Sequence, residues 1–354
     1  MRFTNFWTYR RIVFSRMFLK AVWHARQNVI ADQRGEPPPF GPYMAELDTT
    51  YRCNCRCQMC QRWRDPRRGE LSAAEYETLA ETFQAMGVQQ ISIAGGEPLL
   101  RPDIFEIMNG FSQRGMSVNL CTNGLLIESL TDALCHCRPA CITISLDGAS
   151  AATHDAIRGH TGAYRRIVRG IQKLTRSPLA KRPLVRVRMT INTDNQSEIK
   201  RFYRKWAPVA DDVLLQPVHS CQEAFYEGLS AARIDLNPEI LDHQIRGTAW
   251  IHDGYMPKLI QALRRNGSFP WQPCYAGILM VRIDPWGSVY PCLEQHTRIG
   301  SVREVPFVQL WQAQAFNRER RRLATRRTCV CWYNNTALIG HYGGILNRLN
   351  LPGG

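Results

Sequence analysis

Three cysteines, Cys53, Cys57 and Cys60, stand as C-x-x-x-C-x-x-C in a loop directly after the first strand-like segment of the chain. Thiolates are soft ligands, and three from one loop can bind three irons of a [4Fe–4S] cube, leaving the fourth iron open to chemistry. Two other readings compete. Structural zinc wants four closed ligands, usually from paired C-x-x-C elements, which these spacings do not give. A thioredoxin-like pair at Cys57 and Cys60 leaves the flanking cysteines unexplained. Cys55, a fourth thiol inside the loop, reads as a bystander.

The thirteen cysteines of the 354-residue chain fall partly in tight local groups, and no secretory h-region with a small-residue cleavage site precedes them. That pattern favours metal-ligating thiolates in a reducing cytosol over a disulfide framework. Cys274 and Cys292 flank a hairpin expected at 279–283 and 288–290, turned at Pro285, Trp286 and Gly287. Cys329 and Cys331 follow a helix carrying Leu310, Trp311 and Phe316.

The elements that must position these groups are legible as an alternation of β-rich and helical stretches, the pattern of a parallel sheet with crossover helices. Strands are expected at 45–50, 89–94, 116–121, 142–146, 184–191 and 213–217, and helices near 103–114, 127–136, 163–175 and 196–206. The first crossover also carries its own stop and start signals: Ser72 with Glu75 forms a capping box, Tyr76, Leu79, Ala80, Phe83 and Met86 form an apolar face, and Gly87 ends it. Six strands separated by helices suit a partial (β/α)6 barrel, TIM-like, better than a flat nucleotide-binding sheet. The expected organisation is a basic helix and Pro-rich linker over 1–44, the barrel over 45–220, a helical connector over 221–270, and a cysteine-bearing module with its tail over 271–354.

Lysine and arginine outnumber acids 45 to 30, a formal charge of +15, which draws the protein toward anionic partners. No nucleic-acid-binding motif is present, so nucleic acid is not the expected partner. Residues 1–34 read as an amphipathic helix with Phe3, Phe6, Trp7, Val13, Phe14, Met17 and Phe18 on one face and arginines around it. Such a helix can lie peripherally on an anionic membrane, at its inner face, or pack its stripe on the core or a partner; both readings stand. No apolar run is long enough to span a bilayer.

Together with the strand-end segments downstream, the cysteine loop resembles the radical S-adenosylmethionine superfamily over about residues 45–220. Gly95-Gly96-Glu97-Pro98 is similar to the family's segment that binds the methionine amino group. Thr122-Asn123-Gly124, Ser145-Leu146-Asp147-Gly148 and Ile157-Arg158-Gly159 come next in the family's order. All close strands or adjoin them, at the carboxyl face where barrels gather their chemistry. The resemblance implies that Cys53, Cys57 and Cys60 hold a [4Fe–4S] cluster, that Ser145 and Arg158 hold the methionine carboxylate, and that Asn123 lies near the ribose. Met59 departs from the aromatic usual beside the adenine. The carboxyl-terminal cysteines Cys274, Cys292, Cys329 and Cys331 resemble the auxiliary-cluster module called SPASM or its shorter relative, twitch, with C-x-C in place of the commoner C-x-x-C. That implies a second [4Fe–4S] cluster, against which zinc and free thiols remain as alternatives.

In the strand at 184–191 the arginines alternate with Val185, Val187, Met189 and Ile191, so Arg186 and Arg188 share one face. Facing the barrel interior they would suit a phosphate or carboxylate; with stems packed and heads in water they would have no such role. His219, Glu223 and Tyr226 are further candidate substrate contacts. The expected activity is reductive cleavage of S-adenosylmethionine to a 5′-deoxyadenosyl radical, then hydrogen abstraction from an anionic small or lipid-linked biosynthetic intermediate. Oxidation, carbon–carbon bond formation and rearrangement are all open as outcomes, and a reductase such as flavodoxin or ferredoxin is the implied electron source. Modification of a ribosomally made peptide is the alternative, although 44 residues before the first strand are too few for a separate leader-binding domain. A non-catalytic iron–sulfur redox or binding protein is the alternative of another class.

Overall fold

Short apolar runs and amphipathic stretches become, in the computed structural model, an open sheet wrapped by helices. The structure describes residues 16–218, 236–246, 248, 255–265, 274–293 and 297–325. Six parallel strands come first: β1 (Met44–Thr50), β2 (Gln90–Gly95), β3 (Ser117–Thr122), β4 (Cys141–Ser145), β5 (Leu184–Ile191) and β6 (Asp212–Pro217). Each lies beside its predecessor, as crossover units require.

The outward faces of these strands form the core. Ile91, Ile93, Val118, Leu120, Ile142, Ile144, Val185, Val187, Met189 and Ile191 are buried under the surrounding helices. The first of those helices (Ala73–Ala85) starts where the capping box closes: Glu75 N donates to Ser72 Oγ at 3.3 Å and Ser72 N to Glu75 Oε2 at 2.8 Å. It buries Tyr76, Leu79, Ala80 and Phe83, each large side chain contributing about 1.5–3 kcal/mol. One helix escapes the periodicity: Ala151–Arg158 has eight residues and buries only His154, Ile157 and Arg158, too few for an apolar pattern to register.

The carboxyl-terminal hairpin forms at β7 (Met280–Ile283) and β8 (Ser288–Tyr290), with β9 (Gly300–Ser301) beside it. Its connection to the barrel has no mark in the sequence. β7 pairs in parallel with β1, so a single nine-stranded sheet runs β6-β5-β4-β3-β2-β1-β7-β8-β9 and does not close. Leu310, Trp311 and Phe316 pack behind it, and Arg320 lies over the Trp311 and Phe316 rings at 4.4 and 4.0 Å.

The described part of the amino-terminal helix (Arg16–Gln33) sets Ala25 and Val29 against Tyr275, Ile278, Leu279 and Leu323. Buried Asn28 fixes it, donating to the carbonyls of Gly41 at 2.9 Å and Ile278 at 3.4 Å and accepting from Phe40 N at 3.0 Å. This stretch of the apolar stripe is therefore covered by the chain itself. No helix among the described residues is long and apolar enough to cross a membrane.

Candidate functional site at the carboxyl end of the sheet

The loop after β1 carries Cys53, Cys55, Cys57 and Cys60, and all four line one cavity together with Gly95, Gly96, Asn123, Ser145 and Arg158. Backbone bonds hold the loop in shape: Arg56 N and Gln58 N donate to the carbonyls of Arg158 and Ile157, both at 3.0 Å. Trp63 Nε1 donates to the Cys60 carbonyl at 2.8 Å, and the guanidinium groups of Arg56 and Arg64 lie 4.7 and 4.9 Å from its ring.

Cys55, read from the sequence as a bystander, sits among the other three thiols. Its backbone N–H donates to Cys53 Sγ at 3.4 Å, and hydrogen bonding with its buried thiol lowers the pKa values of Cys53 and Cys57 and raises its own; Arg158 lowers Cys57 further. Burial pushes Cys60 up to about 11.

The glycines of Gly95-Gly96-Glu97-Pro98 line the cavity and also meet a constraint from the chain itself. A Cβ on Gly95, whose φ is +128°, would stand 2.2 Å from the Thr50 carbonyl oxygen, and one on Gly96 would stand 2.3 Å from that of Arg52. β2 thus turns directly against the backbone that leads into the cysteine loop, and Gly96 N donates to Thr50 O at 2.6 Å. Glu97 does not line the cavity. Fully buried beneath it, its carboxylate accepts Leu99 N at 3.1 Å, Thr122 Oγ1 at 2.7 Å and Asn123 N at 2.7 Å, while burial pushes its pKa up to about 7. Pro98 opens the short turn Pro98–Leu100 and is buried there. Asn123, so fixed, donates to Asn54 Oδ1 at 2.6 Å inside the cysteine loop.

Arg158 joins three parts of the site. Its Nη2 meets Asp147 Oδ2 at 2.6 Å, its Nη1 lies 3.7 Å from Cys57 Sγ, and its buried Nε has no partner. Asp147 is held in turn by Thr190 N at 2.8 Å. His154 accepts Asp147 N through Nδ1 at 3.0 Å, and burial pushes its pKa down to about 3.

Deeper in the cavity the lining includes Glu46, Cys121, Arg188, Thr190 and Gln216. Arg188 Nη2 donates to Ser145 Oγ at 3.3 Å. Arg186, on the same face of β5, pairs instead with Asp212 Oδ2 at 2.7 Å and does not line the cavity. Glu46 escaped the sequence reading, as did the buried pairs around Asp48. Their signal was present as acids at alternate positions of β1, a strand in which every residue, the acids included, is buried.

Cys292 is buried and Cys274 half-buried within the same apolar group as Tyr275, Leu279 and Leu293, and burial raises the Cys274 pKa. His219, Glu223, Tyr226, Cys329 and Cys331 lie outside the described residues.

A cavity lined by thiols, a buried guanidinium with an unsatisfied Nε and backbone at the ends of adjacent strands is an arrangement that suits an enzyme of the radical S-adenosylmethionine class. Residues 47–205 match the Radical SAM superfamily and residues 274–332 match SPASM, an iron–sulfur cluster-binding domain. The chain is a radical S-adenosylmethionine enzyme with a carboxyl-terminal SPASM module, and its cofactors are S-adenosylmethionine, a [4Fe–4S] cluster and auxiliary iron–sulfur chemistry in the module.

Among similar proteins are the AdoMet-dependent heme synthase of Methanosarcina barkeri, 26% identical over 82% of this chain and 89% of its own length, and the mycofactocin maturase MftC of Mycobacterium tuberculosis, 27% identical over 85% and 76%. Streptococcus suis SuiB bound to S-adenosylmethionine shares the fold with a TM-score of 0.66 at 15% identity, covering 90% of this chain and 77% of that one.

The described residues fit these cofactors. Soft thiols gather in one loop, and the orphaned Nε of Arg158 is a buried donor awaiting an anionic acceptor such as a carboxylate.

Proposed function

We propose that this enzyme modifies a ribosomally made peptide, starting from hydrogen abstraction at a side chain or backbone carbon presented to the barrel interior. The observation that carries this reading is the match to a named maturase along 85% of the chain, through both the barrel and the module. SuiB, similar in fold with a TM-score of 0.64, is known in complex with its precursor peptide SuiA.

Cys53, Cys57 and Cys60 are the ligands assigned to the cluster, whose bound S-adenosylmethionine supplies a 5′-deoxyadenosyl radical on one-electron reduction. Arg158 and Ser145 are assigned to the methionine carboxylate, and the backbone of Gly95 and Gly96 to its amino group. Asn123, oriented by Glu97, is assigned to the ribose. Met59 groups with Ile157 and Val218 as an apolar surface for the adenine, in place of an aromatic ring. Cys274 and Cys292, with Cys329 and Cys331, are assigned to the auxiliary cluster, which would accept an electron in a net oxidation. On this reading residues 45–220 and 271–354 act as two functional units.

A specific observation favours a second substrate class. Arg188, held by Ser145, puts a guanidinium in the interior where a carboxylate or phosphate would sit, and one relative is named a heme synthase. An anionic small or lipid-linked intermediate would use it.

The test is co-expression with peptides encoded beside the gene, followed by mass spectrometry and measurement of 5′-deoxyadenosine. A mass change on one peptide supports the first reading. Unchanged peptides, together with 5′-deoxyadenosine release stimulated by anionic small molecules, would replace it with the second.

A further inference from the structure

Asp48 lies on β1, wholly buried, between two arginines from distant parts of the chain. Arg62, two residues past Cys60, gives Nη1 to Asp48 Oδ1 at 2.7 Å and to the Gly95 carbonyl at 3.2 Å. Arg282, on β7 of the module, gives Nε to Asp48 Oδ2 at 2.9 Å and Nη2 to Tyr51 Oη at 2.7 Å. Arg282 is 2% exposed and is not among the residues that line the cavity, whereas Arg62 lines it together with Cys60.

A buried carboxylate with both oxygens engaged has little freedom to turn, and neither have the guanidiniums that share it. The position of Arg62 is therefore set partly from the module. A cation beside a thiolate-bound cluster matters because reduction adds a negative charge there, and charge and hydrogen bonding around a cluster set its potential.

We propose that Arg282 is a positioning residue which, through Asp48, holds Arg62 against the cluster loop and so makes the reducibility of the first cluster depend on the docked module. This rests on the assignment of Cys53, Cys57 and Cys60 as its ligands and not on the choice of substrate. The β1–β7 pairing supplies the rigid frame, since Glu46 and Arg282 are register partners one pleat from Asp48.

The experiment is an anaerobic redox titration of the reconstituted full chain followed by electron paramagnetic resonance, using the signal that shifts when S-adenosylmethionine is added. Arg282→Met is expected to make reduction about tenfold less favourable, equivalent to about 59 mV for one electron. Arg62→Met should shift it in the same direction, and adding Arg282→Met to Arg62→Met should change little further. If the Arg282→Met shift persists in full without Arg62, the residue acts only as a distant charge and the proposal fails.

Arg282→Lys guards against misfolding: it keeps the charge but cannot reach Asp48 and Tyr51 together, so a shift of the same sign is expected. A wild-type potential in Arg282→Lys at full iron content also overturns the proposal. Absence of any signal sensitive to S-adenosylmethionine in the unmutated protein would instead sink the cluster assignment.

Discussion

Arg158 Nη2 and Asp147 Oδ2 meet at 2.6 Å with the carboxylate wholly buried, so that one ion pair ties the helix ending at Arg158 to the loop after β4 beneath the cysteines. Breaking such a pair from one side strands a charge, which typically costs about 3–5 kcal/mol. Arg158→Met should lower the denaturation midpoint accordingly and weaken S-adenosylmethionine binding at least tenfold by equilibrium titration. Adding Asp147→Asn should recover much of the stability and none of the affinity. Recovery of both would remove Arg158 from the cofactor site.

Gly95→Ala discriminates between two reasons for a glycine. If the residue only lets a ligand approach, iron content survives and cofactor affinity drops. The 2.2 Å approach of a Cβ to the Thr50 carbonyl predicts a different outcome, a strain of about 1–3 kcal/mol at the root of the cysteine loop and loss of iron itself. Iron and sulfide assays on anaerobic protein decide.

Cys55→Ala should retain iron and sulfide near the unmutated level, because the three proposed ligands remain, while Cys57→Ala should lose the intact cluster. Retention by Cys57→Ala and loss by Cys55→Ala would exchange the two assignments. The question is open to test because Cys55 lines the same cavity as the three proposed ligands and its N–H donates to Cys53 Sγ at 3.4 Å.

Glu46 gives the protein a pH signature. Burial, then the nearby Asp48 charge, raise its pKa well above the usual 4.5, against the opposing Arg62, Arg282 and Arg188; the half-buried Cys121 of β3 lines the same cavity. A carboxyl with a raised folded-state pKa contributes stability below its unfolded value and loses it as pH rises through the folded value. Between pH 6 and 9 the unmutated protein should therefore lose at least about 1.4 kcal/mol more than Glu46→Gln, the equivalent of a tenfold change in proton affinity. Parallel denaturant curves for both proteins would show that Glu46 is ionised throughout.

The six barrel strands and their crossovers were legible because each combines a period-two or continuous apolar run with a cap or glycine stop, as at Ser72 and Gly87. Long-range pairing has no such local mark. Nothing near residue 280 announces that Met280–Ile283 adds to β1, since Met44 and Met280 become register partners only once the intervening chain has folded. Among site residues, cysteine spacing and the strand-end tripeptides could be read directly. Glu97 could be read as present but not as a buried acceptor for Asn123, and Arg186 and Arg188 could be read as sharing a face but not as separated by the reach of Asp212.

Because β1 is flanked by β2 on one side and β7 on the other, it is an interior strand whose second edge is supplied from more than 200 residues away. A fragment ending after β6 would bare that edge, with its row of unpaired amides and carbonyls, beside the loop meant to receive iron. Such a fragment should self-associate, and a minimal catalytic unit would have to include the hairpin.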